Sequence, residues 1–416
     1  MNSFQLSWRN IIAKPLNMSL VLVLFGFGAG LILLLLHLSE QIQQRFEKNL
    51  ANIDLVLGAK GSPLQLVLSS MYHLDSPNGN IKLSEVRPFL NPKHPLIAKA
   101  VPISLGDNVR GYRIVGTDTS FLGLYQATLG EGRIWQKPFE VVIGATLAQD
   151  LALHLGDTFA GGHGLADDAD QLHKEATPYT IVGILAANGS VIDQLAVCDK
   201  STIWEVHEAT HHDHEEENHT ENHTENHAAQ DTTDNSITGV LIRFKSKTNY
   251  QALLMPRMIN QNTNMQAASP AIEMNRLYAL MGVGENGLRN LAWAIIVISG
   301  LSIFIALYSS LKERRYELAL LRTMGASRLR VTSMILLEGL WLSILGFLLG
   351  AIVCQVGLYF ANQTMNRSYH YRFSVNLFGR HECLLFIVSL VIGLVAALIP
   401  ALKVFNTNLS KTLAEK

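Results

Sequence analysis

Residues 312–330 read KERRYELALLRTMGASRLR and lie between two apolar runs, each long enough to cross a bilayer. The stretch carries six cations and only two acids: Lys312, Arg314, Arg315, Arg322, Arg328 and Arg330 against Glu313 and Glu317. Short basic connections between membrane spans face the cytoplasm, so this stretch predicts the orientation of the whole molecule.

The interior of the same stretch has the spacing of an amphipathic helix. Its apolar stripe consists of Tyr316, Ala319, Leu320 and Met324. Gly325 suits the end of such a helix, and Ser327 could cap the next one. Two interpretations stay open at this point. The helix is either a docking surface with a charged rim or a solvated connector whose charges only set the orientation.

The composition indicates a membrane protein. Of the 416 residues, 48% are hydrophobic and 16% are charged, and the apolar residues are clustered in blocks. The balance of 33 basic and 34 acidic residues gives no indication of nucleic-acid binding. No GxxxxGK[ST] loop occurs, so ATP binding by that route is not expected. The three cysteines do not suggest a disulfide framework.

The first apolar run predicts a retained transmembrane helix. Met18–Leu36 is almost wholly apolar, and its roughly 20 residues span about 30 Å of hydrocarbon at helical rise. Arg9 and Lys14 precede it, which places the N-terminus in the cytoplasm. The residues LLLLHLSE follow it instead of a small-residue cleavage site, so a removed signal peptide is not expected. The helical pattern continues from Gln41 to Leu50 and could prolong this helix.

Three further runs predict spans at Asn290–Leu311, Val331 to about Phe360, and Cys383–Leu402. Four spans place both termini in the cytoplasm. Glu338 lies within the third span, where we expect it to reach toward nearby arginines, because an unpaired carboxylate is costly there. Gly339, Gly346 and Gly350 predict close helix packing in the same span.

The region between the first two spans predicts an α+β domain with its own core. Strand patterns occur at Ile53–Leu57, Tyr112–Val115, Glu140–Ile143, Thr180–Leu185 and Val240–Lys245. The last of these alternates as a half-buried strand does. Leu147, Ala148, Leu151 and Leu155 predict a helix that Gly156-Asp157 would end.

A histidine-rich tract at residues 207–227 interrupts this domain. It holds seven of the chain's fifteen histidines: His207, His211, His212, His214, His219, His223 and His227. Its low complexity predicts a mobile loop. Imidazoles four residues apart could share a zinc ion, although a polar spacer without function would look the same. Residues 207–211 also match HExxH, the zinc-protease pattern with Glu208 as base, but chance competes strongly in so histidine-rich a tract.

The chain resembles the MacB/FtsX/LolC-type permeases of ABC transporters. ERRYELALLRTMGAS (313–327) and ILLEG (335–339) are similar to that family's cytoplasmic signature. VVIGATLAQDLALHLGDTF (141–159) and YTIVGIL (179–185) are similar to its periplasmic core pattern. The histidine tract is not part of the family pattern.

The resemblance implies a non-enzymatic permease subunit whose helix 313–325 couples to a separate cytoplasmic ABC ATPase subunit. The residues it assigns to ATPase coupling are Glu313, Arg314, Glu317, Leu320, Leu321, Met324 and Gly325. It also implies a dimer or pseudo-dimer of permeases, a periplasmic partner and no required cofactor. Substrates would be lipoproteins, peptides or other envelope components.

Taken together, the sequence predicts an α-helical membrane protein with four transmembrane helices. A large α+β extracytoplasmic domain is inserted between helices 1 and 2. The expected parts are the N-terminus and first helix at 1–42, a MacB-like core domain at 43–287 and an FtsX-like permease domain at 288–416. The expected location is the bacterial inner membrane. The alternatives are a zinc-linked transport component and, less favoured, an HExxH membrane protease.

The tract generates the first prediction, which is weak and reversible zinc binding that does not hold the fold together. Calorimetric titration with ZnCl₂ should detect binding in the full chain and lose most of it when residues 211–227 are deleted. Affinity should fall as the pH drops through about 6.5, because protonated imidazole is not a ligand. Equal zinc binding by both proteins would show that the tract is only a spacer.

Overall fold

A computed structural model describes residues 3–12, 15–50, 52–163, 177–206, 235–369 and 379–405. The helices in this part of the chain are α1 Ser3–Ile12, α2 Pro15–Asn49, α3 Pro63–Met71, α4 Leu83–Leu90, α5 Ser120–Leu124, α6 Ala145–Leu151, α7 (described over 200–206), α8 Tyr250–Asn262, α9 Pro270–Glu313, α10 Arg315–Thr323, α11 Arg328–Tyr369 and α12 Arg380–Phe405. The strands are β1 Leu55–Ala59, β2 Ile81–Lys82, β3 Ile97–Val109, β4 Tyr112–Thr117, β5 Leu129–Gly132, β6 Glu140–Ile143, β7 Thr158–Phe159, β8 Gly162–His163, β9 Tyr179–Leu185, β10 Ala196–Asp199, β11 Ser236–Ile237, β12 Gly239–Phe244 and β13 Met265–Ala268.

The chain divides into two compact units. One contains the residues up to Ile42 and from Leu280 onward, and the other is Gln43–Ala279. In the part of the chain that the structure describes, four helices are long and apolar enough to span a membrane, namely α2, α9, α11 and α12. The α+β domain lies between the first and second of them in sequence, as predicted.

Glycines let the membrane helices approach each other closely. A Cβ atom added at Gly350 of α11 would lie 2.9 Å from the carbonyl oxygen of Gly26 in α2. One added at Gly346 would lie 2.5 Å from the Phe25 ring, and one at Gly339 would lie 2.7 Å from the carbonyl oxygen of Gly393 in α12. The predicted close packing is therefore confirmed, and α11 uses it toward both neighbours.

Two membrane helices extend beyond their apolar runs. The helical pattern predicted after Gln41 belongs to α2, which continues to Asn49. Helix α9 is 44 residues long and begins at Pro270, well before the apolar run at Asn290. Its first part is interrupted by charged residues such as Glu273, Arg276, Glu285 and Arg289, so membrane hydropathy alone did not reveal it.

The α+β domain is built on one mixed sheet with the strand order β13-β1-β12-β3-β4-β10-β6-β9-β5. The pairs β10–β4 and β6–β9 are parallel, and the other pairs along this order are antiparallel. The small strand β8 pairs with β3, β7 pairs with β9, and β11 forms a separate ladder with β2. The five predicted strands correspond to β1, β4, β6, β9 and β12, with ends that differ by a few residues.

The expectation of a half-buried strand at 240–245 was wrong. Leu241 packs into the core on one face of the sheet, while Val240 and Ile242 pack into a second core on the other face. Strand β12 lies between β1 and β3, so both of its faces are covered. Buried and exposed residues alternate only at the end of β12, where Arg243 is exposed.

The predicted helix that Gly156-Asp157 would end is shorter than expected. Helix α6 ends at Leu151, because Ala152 takes a left-handed conformation with φ of 50° and donates its backbone N–H to the carbonyl oxygen of Ala148. Leu155 lies beyond the helix and is exposed. The helical spacing of Leu155, which lies in a loop, therefore made the predicted helix too long.

One histidine of this domain is buried without a hydrogen-bond partner within the described ranges. His73 follows α3, has a φ of 55° and lies near Arg113 of β4. Burial, followed by the positive charge of Arg113, lowers the pKa of His73 from 6.5 to about 3. Below pH 6.5, His73 therefore binds a proton in the unfolded chain but stays neutral in the folded domain.

Acid should destabilise the protein through His73. Between pH 6.5 and pH 5 this group alone should cost about 2 kcal/mol, at about 1.4 kcal/mol for each pH unit. In His73→Asn, which tolerates the left-handed backbone, the fall in melting temperature between pH 7.5 and pH 5 should be smaller by a few degrees. The matched control is His154→Asn, which replaces an exposed histidine. Equal falls in wild type and His73→Asn would contradict this assignment.

Candidate functional site

The candidate site is the short connection between α9 and α11. Helix α9 ends at Glu313, and Arg314 forms a junction in which its carbonyl oxygen accepts the N–H of Leu318 at 3.0 Å. Helix α10 then runs from Arg315 to Thr323. The expected helix 313–325 is therefore shorter at both ends.

The end of α10 follows from its sequence. Gly325 has a φ of 98°, a left-handed conformation that favours glycine. The N–H of Gly325 donates to the carbonyl of Arg322 at 3.2 Å, and the N–H of Ala326 donates to that of Leu321 at 3.0 Å. This pair of bonds is a Schellman motif. Ser327 then caps α11, because its hydroxyl accepts the N–H of Arg330 at 3.3 Å. Both predicted roles, for Gly325 and for Ser327, are confirmed.

One face of α10 is exposed and apolar. Tyr316, Leu320 and Met324 follow one another at intervals of four residues and are 46%, 47% and 77% exposed. Glu317 is also exposed and lies one residue from Tyr316. We call this set of four residues the α10 outer face. An apolar cluster with a charged rim is typical of a protein-binding surface.

The opposite face of α10 is anchored. Ala319 is buried, and Leu318 and Ala326 pack into a cluster formed by the start of α11 and the end of α12. Its buried members are Val331, Ile335, Ala401 and Val404. The predicted apolar stripe is therefore divided, because Ala319 is buried while its other members are exposed. The anchoring fixes the direction in which the outer face points.

The structure separates the seven residues assigned to ATPase coupling into four groups. Glu317, Leu320 and Met324 share the α10 outer face, and Leu321 is half-buried. Glu313 and Arg314 belong to the end of α9 and the junction, while Gly325 provides the helix end. The arrangement thus brings three of the seven together on one exposed surface.

Sequence reasoning missed a residue of α1 that contacts α11. Asn10 of α1 donates its side-chain N–H to Glu338 Oε1 at 2.6 Å, and Glu338 is 7% exposed. Glu338 was expected to reach toward nearby arginines, and its hydrogen bond with Asn10 was not predicted. Phe4, Trp8 and Ile12 recur four residues apart before the first span, and this spacing could have revealed α1.

The α+β domain contains an open cleft of about 650 Å³. Apolar and charged side chains both line it, including Leu253, Ile272, Lys48 and Lys247. Lys247 Nζ lies 3.3 Å from Asp54 Oδ1, so Lys247 is paired with a carboxylate. A cleft of this size and lining suits an amphipathic ligand.

The proposed metal ligands cannot be placed. All seven histidines from His207 to His227, and the HExxH match with Glu208, lie outside the described residues. Within the described ranges, no group of three or more histidine, cysteine or acidic side chains is arranged to hold a metal ion.

Comparisons with known proteins match both halves of the chain. The family model described as "MacB-like periplasmic core domain" matches residues 19–255, and "FtsX-like permease C-terminal" matches residues 291–409. No curated protein sequence matches the chain.

Two solved structures are similar to part of it. The periplasmic region of MacB from Actinobacillus actinomycetemcomitans has 11% identity and a TM-score of 0.33, over 54% of this chain and 94% of that chain. The extracellular domain of the noncanonic ABC-type transporter YknZ from Gram-positive bacteria has 10% identity and a TM-score of 0.30, over 52% of this chain and 99% of that chain. Since the core-domain match alone spans more than half of the sequence and the permease match covers the last three membrane helices, the chain belongs to the MacB/FtsX type of permease family.

Proposed function

We propose that this chain is the permease subunit of an ABC transporter and that the α10 outer face binds a separate cytoplasmic ATPase subunit. Permeases of this type work with such a subunit. The observation that carries the proposal is the exposed apolar face of a helix whose opposite face is anchored to α11 and α12. Because α10 is anchored in this way, a partner that displaces the α10 outer face would also displace the two membrane helices α11 and α12.

The movement would reach the α+β domain through covalent continuity. Helices α2 and α9 each run from a membrane span into residues of that domain without a break in the described helix. A long helix transmits displacement because its backbone hydrogen bonds keep it stiff. The ATPase in the cytoplasm would therefore act on a substrate that is bound on the other side of the membrane.

The same proposal sets orientation and assembly. An ATP-hydrolysing subunit works in the cytoplasm, so α10 and both termini lie there, and the α+β domain lies on the other side. Two copies, or one copy and a related permease, would present two α10 outer faces to a pair of ATPase subunits. The mixed lining of the cleft supports an amphipathic substrate such as a lipoprotein or a peptide of the cell envelope.

Replacing Glu317 and Leu320 together with lysine should weaken ATPase binding. Both changes place a cation on the outer face, where it must lose water on docking, and losing one strong interface contact of about 2 kcal/mol weakens binding about thirtyfold. The tagged full-length protein is purified from its own host, and the ATP hydrolysis that co-purifies with it is measured. The double variant should retain membrane insertion and lose most of this activity.

The matched control introduces two lysines at exposed apolar positions of another helix. Tyr250→Lys and Leu253→Lys change α8 of the α+β domain, where both side chains are exposed. This variant should retain the co-purifying ATPase. Undiminished activity in the Glu317→Lys, Leu320→Lys variant would remove α10 from the interface.

A further inference from the structure

Helix α1 packs against α11. Asn10 Nδ2 donates a hydrogen bond to Glu338 Oε1 at 2.6 Å. The ring centroids of Phe4 and Trp8 lie 4.9 and 5.0 Å from that of Trp341, which follows Glu338 by about one turn of α11. One polar and two aromatic contacts therefore hold α1 on a short stretch of α11.

This contact lies where the membrane part of the helix bundle begins. Trp341 packs against a hydrophobic cluster that contains Met18 and Val21, the start of the apolar run in α2. Helix α2 itself begins at Pro15, shortly after α1 ends at Ile12. Since Trp341 belongs to the first third of α11, α1 lies near the boundary between hydrocarbon and water on the side of the membrane where α10 lies.

The surface of α1 that α11 leaves exposed has an apolar row beside a polar row. Phe4, Trp8 and Ile12 follow one another at intervals of four residues and are 54%, 38% and 61% exposed. Gln5 and Arg9 are exposed as well. Each follows a member of the apolar row by one residue, which places it about 100° further around the helix. Adjacent apolar and polar sides are typical of a helix that lies in the plane of a membrane interface.

Helix α1 also carries a positive charge and no acid. Its sequence SFQLSWRNII contains Arg9 but neither aspartate nor glutamate. An exposed guanidinium can bind phosphate oxygens, and headgroups with a net negative charge attract a cation more strongly than zwitterionic headgroups do. Lipid already surrounds the apolar run that starts in α2. The charge, the apolar row and the position of α1 therefore fit the same occupant, which is a surface of anionic phospholipid.

We propose that α1 is an interfacial helix whose apolar row, formed by Phe4, Trp8 and Ile12, enters the leaflet on the α10 side of the membrane, while Arg9 binds anionic phospholipid headgroups. Insertion buries the apolar row about 5–10 Å into the boundary between headgroups and acyl chains. The contacts with α11 hold the inserted helix against the bundle. This lipid-binding surface does not depend on what the α10 outer face binds.

The fluorescence of Trp8 reports the depth of α1 in the full chain. The protein is reconstituted in vesicles of phosphatidylcholine and phosphatidylglycerol, with the other four tryptophans replaced by phenylalanine, which keeps an aromatic ring at residue 341. A nitroxide near the headgroup end of the acyl chain should quench Trp8 strongly, because the ring lies at that depth. A nitroxide near the methyl end, or iodide in the water, should quench it weakly. A variant with Trp135 as its single tryptophan is the control, and none of the three should quench this buried residue.

Two results would overturn insertion. Quenching of Trp8 by iodide but by neither labelled lipid would place α1 in water. Protection of Trp8 from iodide and from both lipids would show that protein, such as a second copy of the chain, covers the apolar row.

The charge of Arg9 is tested with the same fluorescence. Trace amounts of nitroxide-labelled phosphatidylglycerol or phosphatidylcholine are compared as quenchers of Trp8. The anionic lipid should be enriched about fivefold beside Trp8, the ratio that corresponds to one cation near an anionic surface. Arg9→Gln should remove most of this preference, and Arg9→Lys should keep it. Equal quenching by both labelled lipids without a change at Arg9 would contradict its assignment to anionic headgroups.

A second measurement leaves all five tryptophans in place. In a background without Cys198, Cys354 and Cys383, a nitroxide is attached to Ile12→Cys, and Tyr250→Cys on α8 is the exposed control. The label at residue 12 should collide more with oxygen, which concentrates in lipid, than with a water-soluble nickel chelate. The label at residue 250 should show the reverse order. More collisions with the nickel chelate at both positions would contradict insertion of α1.

Discussion

The peptide backbone cannot leave its polar groups unpaired in hydrocarbon, and this constraint organises the membrane part of the molecule. Each apolar run must therefore be helical, and non-helical backbone can occur only where protein or water supplies partners. Lipid tails are as apolar as the side chains, so no hydrophobic driving force brings the helices together, and they associate through close packing. The contacts of Gly346 and Gly350 with α2, and of Gly339 with α12, are the consequence.

The same constraint explains why a separate short helix can form in the connection at 314–327, the stretch that we propose binds the ATPase. Outside the apolar runs, the chain can end one helix at Arg314, build a short one and end it again at Gly325. Leu318 packs against α11 and α12 and Ala319 is buried, so one face of this short helix is covered. On its other face, Tyr316, Leu320 and Met324 are exposed. Exposing a cluster of apolar side chains to water is unfavourable, and a bound partner would cover them.

Local sequence patterns correctly predicted the structural features that depend only on residues close together in the sequence. The helix end at Gly325 and the cap at Ser327 follow from backbone geometry, and the spans follow from the length of the apolar runs. The sequence could not show that both faces of β12 are covered, because this depends on the distant strands β1 and β3. It likewise grouped Ala319 with Tyr316, Leu320 and Met324 in one apolar stripe, since small residues fit either face of an amphipathic helix. The Asn10–Glu338 contact joins residues 328 positions apart, which no local period can reveal.

The central claim is that the α10 outer face contacts an ABC ATPase, and site-specific photocrosslinking tests it most directly. A benzophenone amino acid at Met324, the most exposed member of that face, should crosslink in intact cells to a protein with an ABC ATPase domain. The same group at Tyr250, exposed on the α+β domain, should not reach it. Because the ATPase is cytoplasmic, the crosslink would also establish the orientation of the chain. An ATPase adduct at Tyr250, or none at Met324, would contradict the account.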